Sequence, residues 1–208
     1  MIENLLAVVA AYLLGSIPFG YVAGWMRGVD LRTLGSGNTG GTNAVRVLGP
    51  RYGVPVILLD VAKGVAAVEL AIAVGGINVG VAGAAAAILG HTFPVFLGFG
   101  GGKGVATGAG ATIGLAPIVG LLSVPIWLGT IALTGYVSVG SLVTAVAIPT
   151  MALIFGEPPL VTGFLTVASL FVIFRHRQNI ARLRAGTEPR TNVRGWWARR
   201  SAARGVRS

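Results

Sequence analysis

The chain reads as long apolar runs separated by short polar or Gly/Pro-rich breaks. Runs near residues 5–24, 54–75, 79–96, 105–115, 118–135, 139–155 and 160–174 are apolar enough to count as spans. They predict an all-α, polytopic bundle of seven transmembrane helices. The first three runs are clear, whereas the fourth and fifth are short and flank Pro117, with Pro125 inside the fifth. Merging 104–136 and the following stretch into single bent helices gives a five-span alternative, but about 33 residues is long for one crossing.

Composition agrees with this pattern and excludes an ordinary soluble domain. Hydrophobic residues make up 54% of the 208 residues and charged residues only 11%, against roughly 25% charged in globular proteins. The 33 glycines suit helices whose backbones approach closely where lipid removes the hydrophobic drive between them. The absence of cysteine excludes disulfides, zinc-thiolate sites and a cysteine nucleophile, and two histidines are too few for a metal cluster of the usual kind. Met1-Ile2-Glu3-Asn4 has no positive region, so the first run is expected to be a retained helix and not a signal peptide.

Charge fixes the expected orientation. Of sixteen Lys and Arg, four (Arg27, Arg32, Arg46, Arg51) lie between the first two runs, Lys103 lies between the third and fourth, and ten follow Phe174. The other turns carry none. By the positive-inside rule the N-terminus is outside and the C-terminus cytoplasmic. Lys103 and the basic C-terminal region then share a side, so an even number of crossings separates them. A membrane domain over 1–184 and a basic, flexible cytoplasmic tail over 185–208, carrying Trp196-Trp197 for a possible interfacial contact, complete the expected organisation.

Four polar islands fall on the cytoplasmic side. The first runs from Gly35 through Ser36, Asn38, Thr42 and Asn43 to Arg46. Its small polar residues expose backbone N–H groups, and its Arg suits a bidentate phosphate contact. The second, Gly100-Gly101-Gly102-Lys103-Gly104-Val105-Ala106-Thr107, puts glycines and a Lys before a helix start, where N–H groups favour anions. It departs from G-x-x-x-x-G-K-[ST], because Gly104 follows Lys103, so nucleotide binding is not implied. The third holds Ser138 and Ser141, residues that by themselves read as caps or packing groups. The fourth, Arg175-His176-Arg177-Gln178-Asn179 with Arg182, places His176 and Asn179 at i and i+3. Elsewhere, Asp60 and Lys63 form an i, i+3 pair inside the second run, read as mutually neutralising. Glu69 needs an interior site, a proton or a partner. His91 reads as a packing histidine, with Phe96 where an H-x4-D acyltransferase pair needs Asp.

Together the islands resemble the bacterial acyl-phosphate:glycerol-3-phosphate acyltransferase family of small membrane enzymes. The carrying motifs are S-G-N-x-G-x-T-N-x-x-R (Ser36 to Arg46), G-H-x-x-P-V-F (Gly90 to Phe96), G-G-K-G-V-A-T (Gly101 to Thr107) and R-H-R-x-N-I-x-R-L (Arg175 to Leu183). Gly41 stands where the family usually has Ala. The resemblance implies transfer of a fatty acyl group from acyl phosphate to the 1-hydroxyl of sn-glycerol 3-phosphate, giving lysophosphatidic acid and phosphate, at a bacterial inner membrane. It implies catalytic roles for His176, Asn179 and Ser36. Substrate contacts would come from Arg46, Lys103, Ser141, Gly101, Gly102, Gly104, Asn38, Thr42, Asn43 and Thr107. No metal, cofactor or nucleic acid is expected, and oligomeric state stays open. Two other readings stand beside it: a transporter for an anionic metabolite, and acyl transfer from coenzyme A or acyl-carrier protein.

Overall fold

The structure is a computed structural model describing residues 1–191; Trp196-Trp197 and the rest of 192–208 lie outside the described residues. The described residues fold as helices, turns and loops without strands. In order these are α1 (Ile2–Ser16), α2 (Phe19–Trp25), α3 (Gly41–Leu48), α4 (Pro50–Thr92), a 3-10 turn at Val95–Leu97, α5 (Val105–Leu115), α6 (Pro117–Thr134), α7 (Val137–Ile154), α8 (Pro159–Arg175) and α9 (Arg177–Arg184). Proline opens α4, α6 and α8, where its missing N–H has no intrahelical partner to lose.

Four helical stretches among the described residues are long and apolar enough to cross a membrane: Ile2–Trp25, Pro50–Leu97, Pro117–Thr134 and Val137–Ile154. The α8–α9 pair, bent by 52°, counts as a fifth if the two helices form one broken span, and α5 is a shorter apolar helix. The protein is a multi-pass membrane protein, and large apolar side chains such as Leu6, Leu121 and Leu133 stand exposed on its outer surface as lipid contact requires.

Three details differ from the sequence expectation. The first apolar run is broken: Pro18 disfavours helical geometry at Ile17, which is extended (φ −61°, ψ 115°), so α1 and α2 are separate. The third run stops at Thr92 and not at Phe96, because the chain turns at Pro94. Glu69 is exposed on the surface of the bundle, which excludes an interior site for it.

Helix α4 is two limbs in one. Gly76, at φ 70°, adopts a left-handed conformation and reverses the chain. Ala71 then lies against Gly83, and Ile72 against Gly80. Helix α1 runs beside the second limb, with Asn4 near Gly75 and Gly15 against Ala87, while α5 crosses the first limb through Gly64 and Gly110. A Cβ at Gly110 would overlap the Val61 carbonyl. The main core joins Val68, Ile88, Leu115, Val119, Val161 and Leu165 from five helical segments. A smaller cluster of Leu31, Ala44 and Val56 pins the first polar loop and α3 onto α4.

Candidate active site

The four polar islands meet at one end of the bundle, around a cavity of about 560 Å³. Ser36, Asn38, Thr42, Asn43 and Arg46 line it from the first loop and α3; Lys103 from the glycine loop; Ser141 from α7; His176 and Asn179 from the α8–α9 bend. Val124 of α6, Ile148 of α7 and Phe164 and Leu165 of α8 line its apolar part. At ~1.5 Å per residue, Ile148 lies about 16 Å further along α7 than its first residue. The arrangement is a cationic, hydroxyl-bearing region continuous with an apolar slot.

The first loop is organised by Asn43, only 1% exposed. Its amide donates to the Leu31 and Leu34 carbonyls at 3.1 and 2.9 Å, and its Oδ1 accepts the Ser36 N–H at 2.9 Å. Arg46 Nη1 reaches the same oxygen at 3.4 Å. Asn43 is therefore occupied with its own loop and fixes where Ser36 and Arg46 stand. Asn38 is likewise engaged, accepting the Gly40 N–H at 2.8 Å.

The α8–α9 bend carries the densest chemistry. His176 sits at the break itself, 3% exposed, with Nδ1 2.8 Å from the Val172 carbonyl. That contact makes Nδ1 the protonated nitrogen and leaves Nε2 as an acceptor. Burial, reinforced by the nearby Lys103 charge, lowers its pKa to about 4, so the ring is neutral near pH 7. Lys103 Nζ donates to Asn179 Oδ1. Burial lowers the Lys103 pKa to about 8, with Glu188 opposing, so the ammonium still predominates at pH 7.

Glu188, Arg182 and Trp127 also line the cavity, and nothing in the sequence marked Glu188. It lies past the boundary drawn after Arg184, yet it is 8% exposed. It accepts from Asn179 Nδ2 at 2.6 Å and Arg182 Nε at 2.7 Å. Burial pushes its carboxyl up, but these hydrogen bonds outweigh burial and hold it below the ordinary carboxylate range. The next residues also return to the bundle: Arg190 Nε donates to the Tyr136 hydroxyl at 3.0 Å, and the Thr191 N–H to the Gly135 carbonyl at 2.8 Å. A lone Glu in a basic stretch has no spacing signal; only the fold brings it to Asn179.

The remaining sequence-marked residues are placed differently. Gly101, Gly102, Gly104 and Thr107 do not line the cavity. The Gly101 and Gly102 N–H groups donate to the Thr92 and His91 carbonyls at 3.2 and 3.0 Å, which closes the end of α4. Arg175 turns away, with Nη2 on the Gly102 carbonyl at 3.1 Å and its guanidinium over the Phe93 ring. Arg177 stacks on Phe174. Ser141 donates to the Val137 carbonyl at 3.1 Å and accepts from Trp127 Nε1 at 3.3 Å.

Comparison with known proteins decides the family. A family model described as glycerol-3-phosphate acyltransferase matches residues 5–186. The chain belongs to the glycerol-3-phosphate acyltransferase family. Relatives bearing that name include one from Synechococcus sp. (strain CC9902), 46% identical over 94% of this chain and 98% of its own length. Another, from Aquifex aeolicus (strain VF5), is 44% identical over 90% of this chain and 99% of its own. Two solved structures match: PlsY (YgiH), an integral membrane glycerol 3-phosphate acyltransferase, in its glycerol 3-phosphate form (TM-score 0.87, 43% identity, 90% of this chain and 94% of that one) and in its lysophosphatidic acid form (TM-score 0.84, 42% identity, with the same coverage). Family membership fits the cavity, since its cationic region and apolar slot can hold a phosphorylated alcohol beside a lipid chain.

Proposed function

We propose that this chain transfers a fatty acyl group from acyl phosphate to the 1-hydroxyl of sn-glycerol 3-phosphate, giving lysophosphatidic acid and phosphate. The observation that carries this reading is the convergence of Ser36, Arg46, Lys103, His176 and Asn179, from three separate stretches of chain, on one cavity with an apolar extension. Arg46 and Lys103 offset the charge of two phosphate-bearing substrates, and the slot beneath takes the acyl chain. Holding both reactants in one site supplies the proximity that a bimolecular acyl transfer lacks in water.

Acyl phosphate is a mixed anhydride, so its carbonyl needs no covalent enzyme intermediate. The glycerol hydroxyl oxygen attacks that carbonyl, a new ester C–O bond forms, and the acyl–phosphate C–O bond breaks. The hydroxyl proton goes to the departing phosphate. Neutral His176, its Nδ1–H anchored on Val172, presents Nε2 to orient the hydroxyl, while Asn179 holds the Lys103 ammonium. Glu188 is charged, but Asn179 and Arg182 occupy its oxygens, which suits a positioning group better than a general base. His176→Gln is expected to lower turnover at least about tenfold; near-full turnover would remove His176 from the chemistry.

Orientation belongs to the same proposal. The reversal at Gly76 makes two crossings of α4, and α1–α2, α5, α6, α7 and α8 supply five more, seven in all. The end of the bundle carrying Arg46, Lys103 and Arg182 faces the cytoplasm, as the positive-inside rule requires. The N-terminus, beside Gly75 at the opposite end, faces outward. The test uses purified protein supplied with glycerol 3-phosphate and either palmitoyl phosphate, palmitoyl-CoA or palmitoyl-acyl-carrier protein. Lysophosphatidic acid and phosphate are expected from palmitoyl phosphate alone; no product from it would overturn the reading.

A further inference from the structure

The assigned reaction leaves a set of buried charged and polar groups unused. Asp60, Lys63, His91 and Thr107 are 2%, 5%, 8% and 0% exposed. Lys63 Nζ lies 2.8 Å from Asp60 Oδ1 and donates to the Ile17 carbonyl, also at 2.8 Å. It thereby satisfies an acceptor at the Pro18 break between α1 and α2. Asp60 Oδ1 lies 3.5 Å from His91 Nδ1, and Thr107 Oγ1 lies 3.1 Å from the same nitrogen. A charged pair inside an apolar bundle carries a large desolvation cost, so its placement asks for a reason.

The reason lies at the far edge of the His91 ring. A Cβ at Gly102 would collide with His91 Nε2 and its neighbouring ring carbons, so the ring fills the space beside the Gly102 backbone. The Gly102 N–H is bonded to the His91 carbonyl, and the Gly102 carbonyl accepts from Arg175 Nη2. The Gly102 peptide, one bond before Lys103, is therefore held at its N–H, its Cα and its carbonyl. On the other side of Lys103, Thr107 ties the first turn of α5 to the same ring.

We propose that Asp60, Lys63 and His91 act as positioning residues that aim Lys103 at the phosphate of glycerol 3-phosphate, linking the α1–α2 break to the glycine loop. This rests on the reading of Lys103 as a phosphate-binding cation. The effect is expected to fall mainly on glycerol 3-phosphate, because the three residues reach Lys103 through the glycine loop; Asp60 and His91 also line the same cavity, beside Ile57, Val61 and Ile88 of α4.

The test is steady-state kinetics of the full chain with each substrate varied in turn. His91→Asn keeps an amide near Asp60 and Thr107 but removes the ring edge against Gly102. It is expected to raise KM for glycerol 3-phosphate about tenfold, with kcat and KM for palmitoyl phosphate within about twofold of the parent. Gly102→Ala is expected to raise the same KM in the parent, yet to add less than about twofold to His91→Asn, because the ring it strikes is gone. An unchanged KM for glycerol 3-phosphate in His91→Asn would overturn the proposal. So would independent multiplication of the two effects, or a loss spread equally over both substrates. If His91→Asn does not fold, Asp60→Asn is read by the same criteria. Lys103→Ala separates the two levels. If it leaves KM for glycerol 3-phosphate unchanged, the phosphate-site reading fails; if it raises KM while His91→Asn does not, only the positioning role fails.

Discussion

At the residue scale, the site depends on how burial sets the charge of a few groups. Lys103 is a point charge whose pKa burial brings to about 8, so its ammonium predominates below that pH and is lost above it. The sign follows directly: kcat/KM for glycerol 3-phosphate is expected to fall as pH rises through about 8. Lys103→Arg, which stays charged, is expected to shift that alkaline limb upward in a pH–rate profile; an unmoved limb would assign it to another group. His176, neutral above about pH 4, contributes no titration in that range. The sequence marked Ser36, Arg46, Lys103, His176 and Asn179 because polar residues in an apolar chain stand out. It did not mark Glu188, an acidic residue in an already polar region, nor the Asp60–His91–Gly102 contacts, whose members lie far apart in sequence.

At the element scale, glycine has two physically different uses. Gly76 reverses α4 through a left-handed φ of 70° with nothing near its Cβ position. Gly110 lets α5 touch the first limb of α4, where a Cβ would meet the Val61 carbonyl. Gly76→Ala is expected to cost about 1–3 kcal/mol from backbone strain alone. Gly110→Ala is expected to cost more, because two backbones must separate, and it also shifts the helix that follows Lys103. Thermal midpoints in detergent check the order; equal losses would contradict it. The apolar runs were legible as helices because lipid exposure demands long apolar segments with internally bonded backbones. The break at Pro18 and the stop at Thr92 were not read from hydropathy, which averages over the local proline geometry that ends a helix.

At the scale of the whole molecule, charge is polarised along the bundle. Arg46, Lys103, Arg175, Arg177 and Arg182 collect at the site end, while Glu3 and Glu157 lie in the segments assigned to the opposite end. Because the sequence contains no cysteine, single Arg51→Cys and Glu157→Cys variants each carry one thiol. A membrane-impermeant thiol reagent added outside intact cells is expected to label Glu157→Cys and spare Arg51→Cys; the reverse pattern would invert the orientation. The sequence by itself determined the helical class, the membrane habitat and the family, because hydropathy, basic-residue placement and short motifs are properties of neighbouring residues. Only the tertiary structure decided which polar groups meet at the cavity and which of them are tied to one another. That division depends on contacts between segments as distant as Lys103 and Asn179, or His91 and Asp60, whose distances are set by how the helices pack and not by their spacing along the chain.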